Sequence, residues 1–421
     1  MSTSDQLLKE NVERVMKDDT LGKVSSDKFS IVESMVEATA KNLLKEDATT
    51  NQTSGIGQWS SVLINMVRRA APQLMAHDIM GVQPLQTSTA QIFAMRARYN
   101  DQRGTEALFN EPDSAHSGTG SAVGDSSGFP AAFGGVDVGT EAGHGMHTVA
   151  GEGLGGAGKE GWAEMGLTIE GVSVTAKTRK LKAQLTREME QDMQTNHNLS
   201  ATEELTKMLA AEIRGEIDRE CVRAQNISAK IGLQSGTTDK GIFNLAKDAI
   251  GPTKLEQLRE LVYRIELESN AVARATRRGN PNRIIASPNI VSALNMFNLL
   301  DYREHDAEVL NTDTAVSCFA GILNGKFRVY VDPYATRDYV SVAYKGDNAW
   351  DAGMYFCPYL PLEMYTATDP NTMNPVLGFA SRYGIVSNPF NYRDAEGNIA
   401  AGKGMGQGEN SYARKFLVTG L

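Results

Sequence analysis

The chain has 421 residues, 42 of them Lys or Arg and 51 Asp or Glu, for a formal net charge of −9. That length allows two or three domains with a substantial core, and no apolar run approaches the ~18 residues that span a bilayer. An acidic chain is a poor match for a protein that grips nucleic acid by its phosphates, so any DNA nearby is expected to be enclosed, not bound.

No basic cluster followed by an apolar stretch opens the sequence, so synthesis and folding are expected in the cytosol. Cys221, Cys318 and Cys357 form no CxxC pair, which excludes a disulfide framework and a cysteine zinc knuckle and leaves them as small buried hydrophobes.

Residues 1–46 form a charged segment whose one aromatic residue is Phe29. Leu7, Leu8, Val12, Val15 and Met16 fall on one helical stripe, and Ile31, Val32, Met35, Val36, Leu43 and Leu44 on another. Helices this short are marginal alone, so either they pack on the main body or they form a detachable arm that binds other copies or a scaffold. A polar tract from Asp47 to Gly57 reads as a linker. The apolar pattern resumes from Trp59 to Leu74 as a short helix with Arg68 and Arg69 on its outer face, stopped by Pro72.

Between Gly104 and Gly171 lie 18 of the 40 glycines. Such density supplies no side chains for a core and raises the entropy lost on ordering, which predicts an extended, mobile excursion. From Leu167 to Thr186 an alternating, β-branched stretch predicts one long strand returning from it, with Lys177, Arg179, Lys180, Lys182 and Arg187 most simply a solvated face and otherwise in contact with an acidic neighbour. A capping box at Ser200 and Glu203 opens a helix of about 25 residues through Leu205, Leu209, Ile213, Ile217 and Cys221. A second, at Thr253 and Glu256, opens another that ends near Arg277-Arg278-Gly279. Shorter strands and helices follow, with strands at 283–286, 327–331, 339–344 and 376–386 and a helix at 288–299 capped by Ser287. The order supports an α+β class.

Catalytic and ligand signals are weak. Gly153 to Lys159 meets GxxxxGK, but Glu160 stands where a magnesium-binding hydroxyl is needed. His144 and His147, with Asp137 and Glu141 nearby, sit among glycines and read as loop surface. No HExxH or GxSxG occurs, and no enzyme activity, metal or cofactor is expected.

Several blocks in order carry a resemblance. Val67-Arg-Arg-Ala-Ala-Pro-Gln-Leu74 and Asp78-Ile-Met-Gly-Val-Gln-Pro84 are followed by Trp162 to Lys182 and by Gly325 to Ala335. Then come Tyr344 to Asn348, Asp351 to Tyr359, Pro375 to Phe379 and Arg382 to Phe390. Together they resemble the major capsid proteins of T-even-like tailed bacteriophages, which have the HK97-like capsid fold.

The resemblance implies a protein that self-assembles into pentamers and hexamers, closing an icosahedral or prolate shell around dsDNA in the virion. It implies an N-terminal arm within 47–100, an extended loop over 101–187, and a peripheral domain over 188–239 with a spine helix from Thr202 to about Ala229. An axial domain over 240–345 and a return to the peripheral domain over 346–421 complete the plan. The stretch from Gly128 to Gly161, where known members carry a folded insertion domain, is short and glycine-rich here. The shell is therefore expected to draw stability from elsewhere, such as a decoration protein.

The resemblance also gives residues 1–46 a role as a scaffold-binding prosegment removed by a prohead protease after a Leu/Ile-x-Glu sequence. Leu44-Lys45-Glu46 fits, with the cut between Glu46 and Asp47; Leu8-Lys9-Glu10 and Ile31-Val32-Glu33 fit too. Expected partners are other copies of the chain, an internal scaffold, the protease, a portal vertex protein, and vertex and decoration proteins. The alternative is an encapsulin-like nanocompartment shell, which shares the fold but lacks such a prosegment.

Overall fold

The computed structural model describes residues 29, 32–36, 74–102, 104, 107, 112–119, 144–156, 161–301, 319–346, 348, 351–389 and 405–421. The cleavage residues Leu44, Lys45, Glu46 and Asp47, all but the last residue of the helix expected over Trp59 to Leu74, and Asp137, Glu141, Lys159 and Cys318 lie outside the described residues. The chain divides into two compact units, one of residues 1–92, 172–275 and 279–421, the other of residues 93–171 and 276–278.

The larger unit holds two sheets. In the first, β1 (Gly81–Val82) runs parallel to β12 (Met354–Thr368), which pairs antiparallel with β13 (Pro375–Ser387), and β13 pairs with β4 (Lys177–Gln184). The second has eight strands in the order β5-β14-β11-β7-β10-β9-β8, with β6 also on β14. These are β5 (Ala229–Ile231), β6 (Ile242–Asn244), β7 (Arg283–Ala286), β8 (Leu300–Asp301), β9 (Phe319–Leu323), β10 (Phe327–Val331), β11 (Tyr339–Ala343) and β14 (Asn410–Thr419). Helices and sheets are thus mixed along the chain, the α+β arrangement.

Three helices earn their form locally. The longest, α4, runs Ala201–Ser228; the Ser200 hydroxyl accepts from the Glu203 N–H, as the capping box requires. Its Leu209, Ile213, Ile217 and Cys221 are buried at four-residue spacing, with Val222 beside the last, against β12 and β13 side chains Phe356, Leu377, Phe379 and Tyr383. In α5 (Lys254–Thr276) the box is reciprocal: Thr253 Oγ1 accepts from the Glu256 N–H and Glu256 accepts from the Thr253 N–H. Its Leu258, Leu261 and Ile265 enter a second core with Phe243, Phe327, Val340 and Phe416 of the eight-stranded sheet. The short α6 (Pro288–Met296) has Ser287 at its N-cap position, but the hydroxyl donates to Asp338 Oδ1 instead of accepting from the helix.

Two sequence expectations need correction, and one helix was not anticipated. The single strand over Leu167 to Thr186 is two, β3 (Met165–Thr175) and β4, broken at Ala176, whose N–H donates to the Ser88 carbonyl. β3 pairs with β2 (Thr89–Tyr99) as a two-stranded sheet, whereas β4 pairs with β13, so one alternating sequence serves two partners. Residues just past β4 are helical, α3 (Arg187–His197), capped by the Thr186 hydroxyl on the Met189 N–H.

In the smaller unit the glycine-rich stretch is not wholly extended. It contains α2 (Thr148–Glu152) and an antiparallel bridge between Thr119 and His144. There Arg98 donates to the Gly104 carbonyl at 2.8 Å and Thr168 to the Gln102 carbonyl at 3.1 Å.

Candidate functional site

The chemistry-bearing side chains of the larger unit converge on α4, which fastens three distant segments. The first is the lead-in to the body. Asp218 accepts the Met75 N–H at 2.9 Å, supplying from another helix the acceptor that α1 (Ala76–Ile79) lacks at its own start. At the far end of α1, Lys345 donates to the His77 carbonyl and Arg283 to the Asp78 carbonyl. One short turn is thus held by a carboxyl group at its N-terminus and two cations near its C-terminus, the cations in the sense of its dipole.

Burial pushes the Asp218 carboxyl up to about 7, against the backbone hydrogen bonds and Arg214, which favour the charged form; Asp78 adds to the rise. The folded chain therefore holds this proton between the ordinary value of 3.8 and about 7, where an unfolded chain has released it. Asp218 contributes most to stability below that window, and its contribution falls as pH rises through it. We expect Asp218→Asn to remove that fall, so that urea midpoints of variant and parent diverge between about pH 4 and pH 7, the variant being relatively the more stable at the upper end. A parent and variant with parallel pH profiles would contradict the assignment.

The second segment is β4. Arg179, alone among the five basic residues predicted for the solvated face, turns to α4 and pairs with Glu216 at 2.7 Å and with Glu220; the Tyr383 hydroxyl joins them. The hydrogen bond to Glu220 outweighs burial and holds the Arg179 guanidinium above its ordinary value. Burial raises the Glu220 carboxyl, but Arg179 and Tyr383 more than offset it and leave the group below its ordinary range. These side chains are a third or more exposed, so the cluster positions β4 more than it stabilises the fold.

The third is the turn after β10. Arg219 reaches both oxygens of Asp332, at 2.7 and 2.9 Å, and Asp332 also accepts from the Tyr339 hydroxyl and the Tyr334 N–H. Asn226 donates to the Tyr339 hydroxyl from two turns further along. Arg219, Arg223, Asn226, Ile227, Asp332 and Tyr339 line a shallow cleft of about 200 Å³.

Of these fasteners only Arg179 stands out in the sequence, as one of a basic strand face; lone Asp and Arg residues on a helix carry no spacing signal. Among the described residues no group of His, Cys, Asp or Glu, His144 and His147 included, could hold a metal ion. Nor, among those residues, is any helix long and apolar enough to cross a membrane. Cys221 and Cys357 are buried, and burial raises both thiols, that of Cys357 to about 12, which removes them as nucleophiles at neutral pH. In the smaller unit, Met165, Leu167 and Ile169 alternate along β3 with more than half of each exposed, as is Trp162 just before them. That is an apolar strip on an exposed ribbon.

The family model for the major capsid protein Gp23 matches residues 56–418, and the chain belongs to that family of phage head-shell proteins, which are structural and not enzymes. The major capsid protein of Salmonella phage ViI is 39% identical, with 93% of this chain and 92% of that protein aligned. That of Enterobacteria phage T4 is 35% identical over 88% of this chain and 84% of its own length. A capsid vertex protein of T4 aligns at 25% identity with 51% of this chain and 51% of its own length. Among solved structures, the capsid of Ralstonia phage GP4 aligns with 88% of this chain and 98% of its own at 8% identity and a TM-score of 0.41, a score that adds nothing to the family assignment.

Proposed function

We propose that this capsid subunit is made as a precursor, assembles into pentamers and hexamers in the host cytoplasm, and is cut between Glu46 and Asp47 as the shell matures around dsDNA. The observation that carries the reading is the placement of Leu44-Lys45-Glu46. In the sequence it stands between apolar residues at helical spacing and a polar, turn-rich tract of the composition that proteases favour, and the family match begins only at residue 56.

Residues 47–100 would then supply the arm, 101–187 the extended loop, 188–239 the spine region, 240–345 the axial domain and 346–421 the return. The apolar strip Met165, Leu167 and Ile169 would lie against a neighbouring copy, adding area to many modest contacts. The internal scaffold, prohead protease and portal vertex protein are the partners this reading requires. The likeness to a capsid vertex protein supports a vertex partner as well. A decoration protein would take the place of the insertion domain.

Removal of residues 1–46 takes away seven basic and nine acidic residues, so the mature wall stays acidic and does not hold the genome by its phosphates. Membership of a phage family leaves the nanocompartment alternative without support. The intact mass of the chain recovered from finished particles tests the reading. A mass equal to residues 47–421 is expected, and Glu46→Ala should abolish trimming at that bond. Uncut chains in finished shells, or trimming at residue 46 in the variant, would overturn the cleavage assignment.

A further inference from the structure

Residues 32–36 are helical, and Val32, Met35 and Val36 are 0%, 2% and 0% exposed. They share one packed cluster with Leu74, Met75, Ile79 and Met80 at the lead-in and with Leu209, Ile213 and Ile217 of α4, and Phe29 packs against its margin. Positions 29, 32 and 36, with 35 beside them, make a single helical face. The two possibilities open for this stripe, packing on the body or acting as a free arm, are therefore resolved in favour of the body for these residues. They lie on the far side of the proposed cut from everything else in the cluster.

We propose that residues 29–36 are a plug that the precursor holds in its own core, and that cutting the chain after Glu46 converts this tethered contact into one that can dissociate. The proposal rests on the cleavage reading above. While the chain is whole, the tether from Val36 to Leu74 keeps the plug at an effective concentration of about millimolar, so a modest apolar contact is enough to keep it seated. Once cut, a helix this short has little stability of its own and must be ordered again at each rebinding. The same few side chains then no longer hold it at dilute concentration. Departure of the plug leaves an apolar seat on every matured subunit, beside the helix that fastens the lead-in, β4 and the turn at Asp332. The prosegment is on this view a component of the precursor's fold, whatever else its first stripe binds.

The full chain with a foreign protease site placed in the 47–57 tract tests this without relying on the natural cut. Amide exchange within 74–80 and 209–222 should be slow in the uncut chain and at least about tenfold faster after cutting and dilution, with the fragment separating on size exclusion only as concentration falls. A fragment that leaves at any concentration with no change in exchange would overturn the proposal. Val32→Asp combined with Val36→Asp in the uncut chain should speed the same amides, and a peptide of residues 25–40 should slow those of the cut chain again. Wild-type protection in the double variant, or no effect of the peptide, would also overturn it. Absence of trimming at Glu46 in particles would leave these readouts untouched, so failure of the cleavage reading and failure of the plug are distinguishable.

Discussion

Asp332→Ala should lower the stability of the chain by about 3–5 kcal/mol, the range for removing one member of a buried, hydrogen-bonded ion pair. The Asp332 side chain is 4% exposed and that of Arg219 26%, so water replaces little of what is lost. Three donor groups make four contacts with this carboxylate: Arg219 Nη1, which reaches both oxygens, the Tyr339 hydroxyl and the Tyr334 N–H. The alanine variant leaves them facing a cavity, which costs more than the pair itself contributes. Asp332→Asn keeps the volume and one acceptor and should cost roughly half as much. The Tyr339 hydroxyl gives a local readout: burial and its hydrogen bond to Asp332 raise it above its ordinary value. Its ultraviolet titration should move back toward the ordinary tyrosine value in the alanine variant. Unchanged denaturant midpoints for both substitutions would show that the Arg219 link contributes nothing to holding the turn on α4.

Glu268→Ala should be nearly as costly, about 3 kcal/mol or more, by a different route. Glu268 lies on α5 with its side chain 9% exposed, and it accepts from Arg414 of β14 at 3.0 Å and from the Leu233 N–H at 2.8 Å. Leu233 has φ of 49°, the left-handed region that a branched aliphatic residue enters only under constraint. Next to it, a Cβ on Gly232 would stand 2.9 Å from Glu268 Oε2, so glycine is what lets the backbone come so close to the carboxylate. Without Glu268 the strained residue loses its acceptor and Arg414 its partner. Glu268→Gln, which can still accept from Leu233, should recover about half of the loss. Equal denaturant midpoints for the alanine and glutamine variants would place the cost in the charge pair alone.

The long helices and their first turns were legible in the sequence because their causes are local: Ser200 with Glu203, Thr253 with Glu256, and apolar residues every three or four positions. The resemblance blocks supplied the family, and the matched span bears this out. What escaped was whatever depends on residues far away in the chain. Nothing within Leu167 to Thr186 says that the partner changes at Ala176, since alternation continues across the break. The helix α3 buries none of its residues and so offered no apolar stripe. Strand β14 carries Arg414 and Lys415 at its centre and reads as surface; the structure answers both charges, with Glu268 and with the Asn226 carbonyl. Asp218, Arg219 and Asp332 were invisible for the same reason, being ordinary charges until the fold brings their partners to them.

The place of β14 bears on how this subunit is made. It lies inside the eight-stranded sheet, with Ala413 opposite Ala343 and Phe416 opposite Val340 on one side, and Asn410 beside Ala229 and Leu417 beside Ile242 on the other. Until a ribosome has reached Thr419, β5 and β6 have no strand to join and β11 presents a bare edge, so the nascent chain carries an unfinished sheet up to that point. Strands made far apart in the chain must therefore wait for one late segment, which makes this sheet a slow, non-local element of the fold.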